Sequence, residues 1–360
     1  MSSLNATLTL WKKYIESSYN LQINMTSESR LTSRILELDA LRGLAIIAVM
    51  LYHYTSRYVR LYGFYNTPPF EFWYGRLGVE FFFILSGFVI FMTLSKTKTG
   101  TDFIVSRLSR LYPVFWASAL FTLLIVSIFS LPGREVNGLK AVLANLTMVP
   151  NLFGYPLIDG AYWFLERLLF FYAIIYMLFI LKLLKFIKII LLIWLATAII
   201  LPGIVTVCEL HRISPVLNLP YKIFAYVFNF KYIAFFSIGI LFYSKTQDMH
   251  FDYSDWLTLV LCIFCLKINY PFADFIIASV YILICYFFVA GKLKFLQIRP
   301  LVFMGTISYA LFLVHQNLGY IILRKIEPLL PTAWLAVLIA CCTSILVATL
   351  LTFVIEKPAT

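Results

Sequence analysis

Apolar stretches of about 18 residues or more recur along most of the chain, and they limit its possible folds more than any other feature. Only 13% of the residues are charged, whereas a typical soluble domain has about 25%. In lipid, every backbone polar group needs a partner within the protein, and helices supply one. A β-barrel would alternate polar and apolar residues, which these stretches do not. We therefore predict an all-α, polytopic membrane protein.

The apolar stretches predict about ten transmembrane helices of roughly 20 residues each. Their positions or starting points are 35–58, Leu77, Leu111, Tyr162, 187–207, 225–243, 254–269, 272–290, 301–323 and 331–355. A basic loop with Arg107 and Arg110 is predicted before the third helix. Residues 1–34 are polar and contain no signal-peptide core, so we predict a cytosolic leader there and a transmembrane domain over 35–358.

The chain carries a formal net charge of +12, but its Lys and Arg residues lie mostly between the apolar stretches. They are more frequent on the side that holds the two termini, so we interpret them as topology signals and not as nucleic-acid contacts. This predicts a multi-pass protein of the inner (plasma) membrane with cytoplasmic termini. The six cysteines have no histidine at a metal-ligand spacing, so no metal site is predicted.

The first apolar stretch contains two ionisable residues, Arg42 and His53, which a lipid-facing helix should avoid. They are eleven residues apart, so on an α-helix they lie on one stripe, about 20° apart around the axis and about 16 Å apart along it. Two interpretations are open. Either the pair is functional, or Arg42 extends to the interface while His53 hydrogen-bonds a neighbouring helix.

Four polar residues fall at a similar depth under the predicted topology: His53, Glu80, Glu166 and His315. A single polar chamber enclosed by the helices would collect them, with Arg42 reaching toward the cytosol. An alternative interpretation is open for three of them. Glu80 would then be a solvated carboxylate near the interface, Glu166 would form a structural ion pair with another helix, and His315 would be an interhelical hydrogen-bond partner.

Several motifs, taken together and in order, resemble the integral-membrane acyltransferase family 3. The spacing of Arg42 and His53 and the preceding segment 38–43 are similar to that family's opening signature. The later segments that resemble family motifs are 78–87, 110–113, 308–315 and 355–358. The likeness covers about residues 35 to 358, and an ordered set of motifs is far more specific than any one of them.

The sequence departs from the family pattern at one acidic residue. Family members carry a tryptophan, a glutamate five residues later and then a Phe-Tyr pair. Here Trp163 and the Phe171-Tyr172 pair keep this frame, but the fifth position is Leu168 and the acid is Glu166. A shift of two residues turns a side chain by about 200° around a helix, so the role of Glu166 is open.

The resemblance implies transfer of an acyl group, most often acetyl, from a cytoplasmic coenzyme A thioester to a carbohydrate hydroxyl. The acceptor would be a cell-surface or lipid-linked glycan, such as a lipopolysaccharide or another polysaccharide. Acetyl-CoA or another acyl-CoA is then a donor substrate, and no bound cofactor is predicted. The expected partners are acyl-CoA, the carbohydrate and the lipid bilayer, with the oligomeric state open.

His53 suits the role of general base because imidazole titrates near neutral pH, and an acyl-histidine relay is the second variant. Arg42 would bind a donor phosphate or polarise the thioester carbonyl. Glu166 is the third catalytic candidate. Arg107 and Arg110 are donor-binding candidates, with ordinary topology charges as the alternative. The substrate-binding candidates are Asp39, Glu80, Ser86, Trp163, Arg167, Tyr309 and His315.

Two other functions remain open at this point. One is a transporter or flippase that moves a lipid-linked sugar through the polar chamber. The other is a catalytically inactive relative that acts as a scaffold of a glycan-assembly complex, which the displaced acid would explain.

Overall fold

The computed structural model describes residues 35–135, 138–210, 218–246 and 248–359, and the predicted leader, 1–34, lies outside them. The described part is helical, without strands. Its principal helices are α1 Leu36–Tyr52, α2 Gly78–Leu94, α3 Gly100–Phe129, α4 Leu139–Leu146, α5 Trp163–Ile180, α6 Ile187–Leu210, α7 Asn218–Val227, α8 Ile233–Ser244, α9 Tyr253–Asn269, α10 Phe272–Val289, α11 Arg299–Thr306, α12 Ser308–Ile326 and α13 Ala333–Leu351.

Several of these helices are long and apolar enough to cross a membrane, which confirms a polytopic all-α protein. Within the described ranges, six meet this criterion: Trp73–Leu94, Gly100–Phe129, Gly160–Ile180, Leu183–Val207, Phe272–Val289 and Ala333–Ala359. The pair formed by α11 and α12 would make a seventh. The count of ten therefore stays a prediction.

Three segments differ from their predicted form. The stretch 225–243 is divided between α7, which ends at Val227, and α8, which begins at Ile233. The stretch 301–323 is bent by 75° between α11 and α12, where the hydroxyl of Ser308 donates to the carbonyl of Gly305. The predicted basic loop with Arg107 and Arg110 belongs to α3, because Thr99 and Asp102 form a capping box that starts this helix at Gly100.

The first helix, α1, packs against α2, α11 and α12. Two glycines permit its closest approach to α11. A Cβ on Gly305 would lie 1.8 Å from the carbonyl oxygen of Asp39, and one on Gly43 would lie 2.2 Å from that of Leu301. Small residues let helix backbones approach in this way within membranes. The contact fixes the position of the end of α1 that carries Arg42.

The other end of α1 changes its helical form at His53. Residues His53–Arg57 form a π-helical turn, in which the backbone N–H of Tyr58 donates to the carbonyl of His53. Thr55 stabilises the turn because its hydroxyl donates to the carbonyl of Leu51 and accepts from the N–H of Phe72. Isolated π-turns within α-helices occur frequently at functional sites.

We expect Gly305→Ala to destabilise the protein, since the added methyl group would overlap the backbone of Asp39. Overpacking of this kind costs about 1–3 kcal/mol. Gly203→Ala is the matched control, because it lies in helix α6 with no atom within 4 Å of the added Cβ. Thermal unfolding in detergent should show a lower Tm for Gly305→Ala and an unchanged or higher Tm for Gly203→Ala. Equal values would contradict the close contact.

Candidate active site

Two cavities lie near opposite ends of α1. One, of about 410 Å³, is lined by Arg42, Arg107 and Arg110, and we name it the arginine cavity. The other, of about 390 Å³, is lined by His53, Glu80 and further polar and aromatic residues, and we name it the histidine cavity. The presence of two separate cavities differs from the single polar chamber that the sequence predicted. Along an α-helix, Arg42 and His53 are separated by about 16 Å, which allows them to face different spaces.

Three aromatic rings of the arginine cavity pack together beside His315. The ring centroid of Phe312 is 5.2 Å from that of Phe164 and 6.2 Å from that of Phe82, and it lies 5.9 Å from the imidazole of His315. All three phenylalanines line the arginine cavity. We name them the phenylalanine cluster, which gives the arginine cavity an apolar wall next to the buried imidazole of His315.

The arginine cavity brings together three residues that the sequence indicated as donor contacts. Arg42 forms an ion pair with Asp39 at 3.2 Å, and both residues line the cavity. Arg107 is buried, with its guanidinium carbon 5.4 Å from the ring centroid of Tyr172. Converging guanidinium groups are suited to phosphate because each presents several N–H donors in a planar fork.

Two hydroxyl groups among the sequence candidates also line the arginine cavity. Ser86 donates to the backbone carbonyl of Phe82 at 2.7 Å, and Tyr309 donates to that of Leu111 at 3.0 Å. Neither hydroxyl has a histidine or carboxylate as a hydrogen-bond partner among the described residues. Ser86 therefore lacks the neighbouring base that activates a serine nucleophile.

The histidine cavity contains the pair of histidines. Nδ1 of His315 lies 3.0 Å from the carbonyl oxygens of Leu311 and Phe312, and Nε2 of His315 lies 3.0 Å from Nδ1 of His53. A carbonyl only accepts, so the proton of neutral His315 is on Nδ1 and its Nε2 is an acceptor. Nδ1 of His53 also lies 2.9 Å from the carbonyl of Val49. Both contacts require the proton of His53 to be on Nδ1.

This arrangement leaves Nε2 of neutral His53 with a free lone pair. His53 is half-buried and lines the cavity, whereas His315 is fully buried. His53 can therefore accept a proton from a group bound in the cavity, and His315 fixes its tautomer and ring orientation. We assign His53 as the candidate catalytic residue and His315 as a positioning residue.

Glu80 and Trp163, both substrate-binding candidates, also line the histidine cavity. Glu80 is 8% exposed, so it is not the solvated interfacial carboxylate considered as its alternative. The hydroxyl of Tyr270 donates to Oε1 of Glu80 at 3.3 Å, while Oε2 has no hydrogen-bond partner in the described part of the chain. A buried carboxylate oxygen beside aromatic faces is suited to a ligand rich in hydroxyl groups.

Glu166 and Arg167 lie elsewhere and line neither cavity. Oε2 of fully buried Glu166 accepts from Nδ2 of Asn151 at 2.7 Å and from the hydroxyl of Tyr226 at 2.5 Å. The guanidinium carbon of Arg167 lies 3.3 Å from the ring centroid of Tyr226. These contacts join α5 to α7. Leu168, which stands at the family's acidic position, lines the arginine cavity.

Sequence reasoning missed several residues of both cavities. Arg57, Arg76, Arg134 and Lys231 line the histidine cavity, and Glu356 lines the arginine cavity. The sequence could have indicated two of these residues. Arg57 follows His53 by four residues, which places both on one face of a helix, and Glu356 lies in the motif 355–358 that resembles the family. Arg134 and Lys231 lie outside helices and gave no local signal.

These features define a multi-pass helical membrane protein with a hydrogen-bonded histidine pair at one cavity and an arginine cluster at another. A family model described as "Acyltransferase domain" matches residues 35–353. The chain therefore belongs to acyltransferase family 3 and is an acyltransferase. No curated protein and no solved structure matches the chain.

We expect Glu166→Gln to keep a kcat close to that of the wild type, because the amide oxygen can still accept from Asn151 and Tyr226. Glu166→Leu should leave both donors without a partner and lower the free energy of unfolding by about 1–3 kcal/mol. Acyl-transfer kinetics and thermal unfolding check these outcomes. A large loss of kcat in Glu166→Gln, at unchanged stability, would restore a catalytic role.

His315→Leu removes one of the two acceptors for Nδ1 of His53 and leaves the carbonyl of Val49 as the other. The hydrogen bond contributes about 0.5–1.5 kcal/mol, so kcat should fall roughly 2- to 12-fold, with the KM of the donor unchanged. His315→Gln supplies an amide oxygen as acceptor and should recover most of the loss. If both variants lose stability and activity to the same extent, His315 is a packing residue and the positioning role is refuted.

Proposed function

We propose that this membrane acyltransferase moves an acetyl group, or another acyl group, from acyl-CoA to a carbohydrate hydroxyl. The single observation that carries the proposal is the hydrogen-bonded pair of His53 and His315. It leaves a free imidazole lone pair in one cavity, while the other cavity presents an arginine cluster. A general base and a separate site for an anionic donor are what acyl transfer from a coenzyme A thioester needs.

The donor would bind with its phosphates in the arginine cavity. The separation of about 16 Å between Arg42 and His53 favours one of the two roles considered for Arg42. A guanidinium so far from the base cannot also contact the reacting carbonyl, whereas it can hold a phosphate. The flexible pantetheine arm would then extend past the phenylalanine cluster and carry the thioester to His53.

The acceptor would bind in the histidine cavity. Trp163, Tyr52 and Tyr232 provide aromatic surface there, and Glu80 provides a buried carboxylate oxygen. Sugars present both apolar C–H faces and hydroxyl donors, so this combination supports a carbohydrate over an apolar alcohol. Asp39, Ser86 and Tyr309 line the arginine cavity, so we assign them to the donor side.

The reaction would follow general-base catalysis. Nε2 of His53 removes the hydroxyl proton as the sugar oxygen attacks the thioester carbonyl carbon, and a tetrahedral oxyanion forms. The intermediate then collapses with cleavage of the C–S bond. The leaving thiolate takes the proton from the imidazolium, which gives free coenzyme A and a sugar ester. His315 keeps the imidazole in the required tautomer throughout.

We assign the protein to the plasma membrane with cytoplasmic termini, because the basic residues favour that side. The arginine cavity would then open toward the cytosol, where acyl-CoA is present, and the histidine cavity toward a lipid-linked or cell-surface glycan such as a lipopolysaccharide. The expected partners are thus acyl-CoA, the glycan and the bilayer, without nucleic acid and without a bound cofactor.

The test is an acylation assay in membranes with radiolabelled acetyl-CoA and the cell's own glycan. We expect His53→Gln to lower kcat by about 10²- to 10⁴-fold, the usual contribution of a general base. Arg42→Ala should raise the KM for acetyl-CoA by about 10-fold or more, since a hydrogen bond to a charged group contributes about 1.5–3 kcal/mol. Arg299→Ala, at an exposed arginine, is the control and should behave as the wild type.

A second acyl donor distinguishes an effect on phosphate binding from an effect on the acyl-transfer step. S-acetylpantetheine lacks the phosphates of acetyl-CoA, so the difference between wild type and Arg42→Ala should disappear with it. Full activity of both His53→Gln and Arg42→Ala with acetyl-CoA would refute the assignment. Glycan movement in proteoliposomes without any acyl donor would favour the flippase, and an unaltered glycan in a deletion strain would favour the scaffold.

A further inference from the structure

We infer that the acceptor carries a negative charge and that Arg57 and Arg134 bind its anionic group in the histidine cavity. The shared chemistry is a carboxylate of an acidic sugar or a phosphate that links the sugar to its carrier. This inference rests on the proposed function, since it specifies the substrate of the same site.

Arg57 reaches the cavity through the π-turn that also contains His53. It is the last residue of that turn, it is half-buried, and both residues line the cavity. No carboxylate lies within ion-pair distance of Arg57 among the residues that the structure describes. The turn therefore holds a permanent cation beside the base without a protein anion to neutralise it.

Arg134 comes to the same cavity from the segment between α3 and α4. Leu131 is fully buried, and the hydroxyl of Tyr62 donates to the carbonyl of Pro132, so the segment is anchored next to Arg134. A Cβ on Gly160 would lie 2.9 Å from Nη1 of Arg134, which places the guanidinium against the wall of the cavity. In the described ranges no carboxylate lies within ion-pair distance of Arg134, and the buried carboxylate of Asp159 interacts with it only at longer range.

The other two cations of the cavity already have protein contacts. Arg76 forms an ion pair with Asp274 and lies over the ring of Trp73. Lys231 is exposed, and its ammonium nitrogen lies 5.5 Å from the ring centroid of Tyr232. Only Arg57 and Arg134 are half-buried cations of this cavity without such a contact in the described chain.

Two unpaired guanidinium groups in a half-buried site lose solvation, and the loss is recovered when an anion binds. Each guanidinium can donate two parallel hydrogen bonds to a carboxylate or a phosphate. The donor's own phosphates are bound at the arginine cavity under the proposed function, beyond the phenylalanine cluster. The anion at Arg57 and Arg134 must then belong to the acceptor, whose hydroxyl lies at His53.

The experiment uses the purified full chain in lipid nanodiscs, with three acceptor probes. They are methyl glucuronide, the neutral methyl glucoside, and octyl-phosphoglucose, which carries its charge on a phosphate. We expect the wild type to show a KM for at least one charged probe about 10-fold or more below that for methyl glucoside, consistent with charged hydrogen bonds. The probe with the lower KM identifies a carboxylate or a phosphate as the source of the charge.

Arg57→Gln and Arg134→Gln should each raise the KM for the charged probe about 10-fold or more relative to the KM for methyl glucoside in the same variant. Arg299→Gln is the matched control. A fall in kcat with all three probes at constant KM would overturn the inference, because the arginines would then stabilise the oxyanion. Equal KM values for charged and neutral probes in the wild type would overturn it as well.

A binding measurement keeps this inference separate from the proposed function. Tryptophan fluorescence reports binding without turnover, since Trp163 and Trp73 lie at or beside the cavity. If charged probes bind the wild type and not the Gln variants, the anion site is present even where no acetyl transfer occurs. If none of the probes is preferred in this measurement while transfer proceeds, the function holds and the anionic acceptor is refuted.

Discussion

The hydrogen bond between Nδ1 of His53 and Nε2 of His315 is the interaction on which the candidate site depends. The backbone carbonyls of Val49 and Leu311 set its direction, because a carbonyl oxygen can only accept a hydrogen bond and each one therefore faces a protonated Nδ1. One helix turn on α1 and one on α12 therefore determine which nitrogen of His53 is free. Within the described ranges no carboxylate pairs with His53, so the packing of α12 against α1 is what orients the candidate base.

The separation of the two cavities follows from the same geometry. Arg42 and His53 lie on one helix, and the phenylalanine cluster lines the arginine cavity beside His315. Under the proposed function, these apolar rings would keep the charged end of the donor apart from the histidine cavity. A narrow, uncharged group such as the pantetheine arm of acyl-CoA would pass them. Positioning of the reactants can therefore supply a large part of the catalysis.

Sequence reasoning identified the helical membrane class from hydropathy, and it named Arg42, Arg107 and Arg110 as donor-binding candidates from the ordered motifs. It also placed His53 and His315 at one depth. It could not find the π-turn at His53 or the bend before Ser308, since neither changes the apolar pattern. Nor could it bring Arg134 to the site, because that contact joins segments far apart in the chain.

The displaced acid shows how one residue position alters the electrostatics of a cavity. Leu168 lines the arginine cavity, whereas Glu166 points toward α7 and is held by Asn151 and Tyr226. A carboxylate at 168 would face the arginine cluster and reduce its positive charge. With leucine there, Asp39 and Glu356 are the carboxylates that line the described cavity, against three arginines and Lys357. The remaining positive excess suits a ligand with several phosphates. Under the proposed function, the departure from the family pattern would therefore strengthen donor binding while it removes an acid from the cavity.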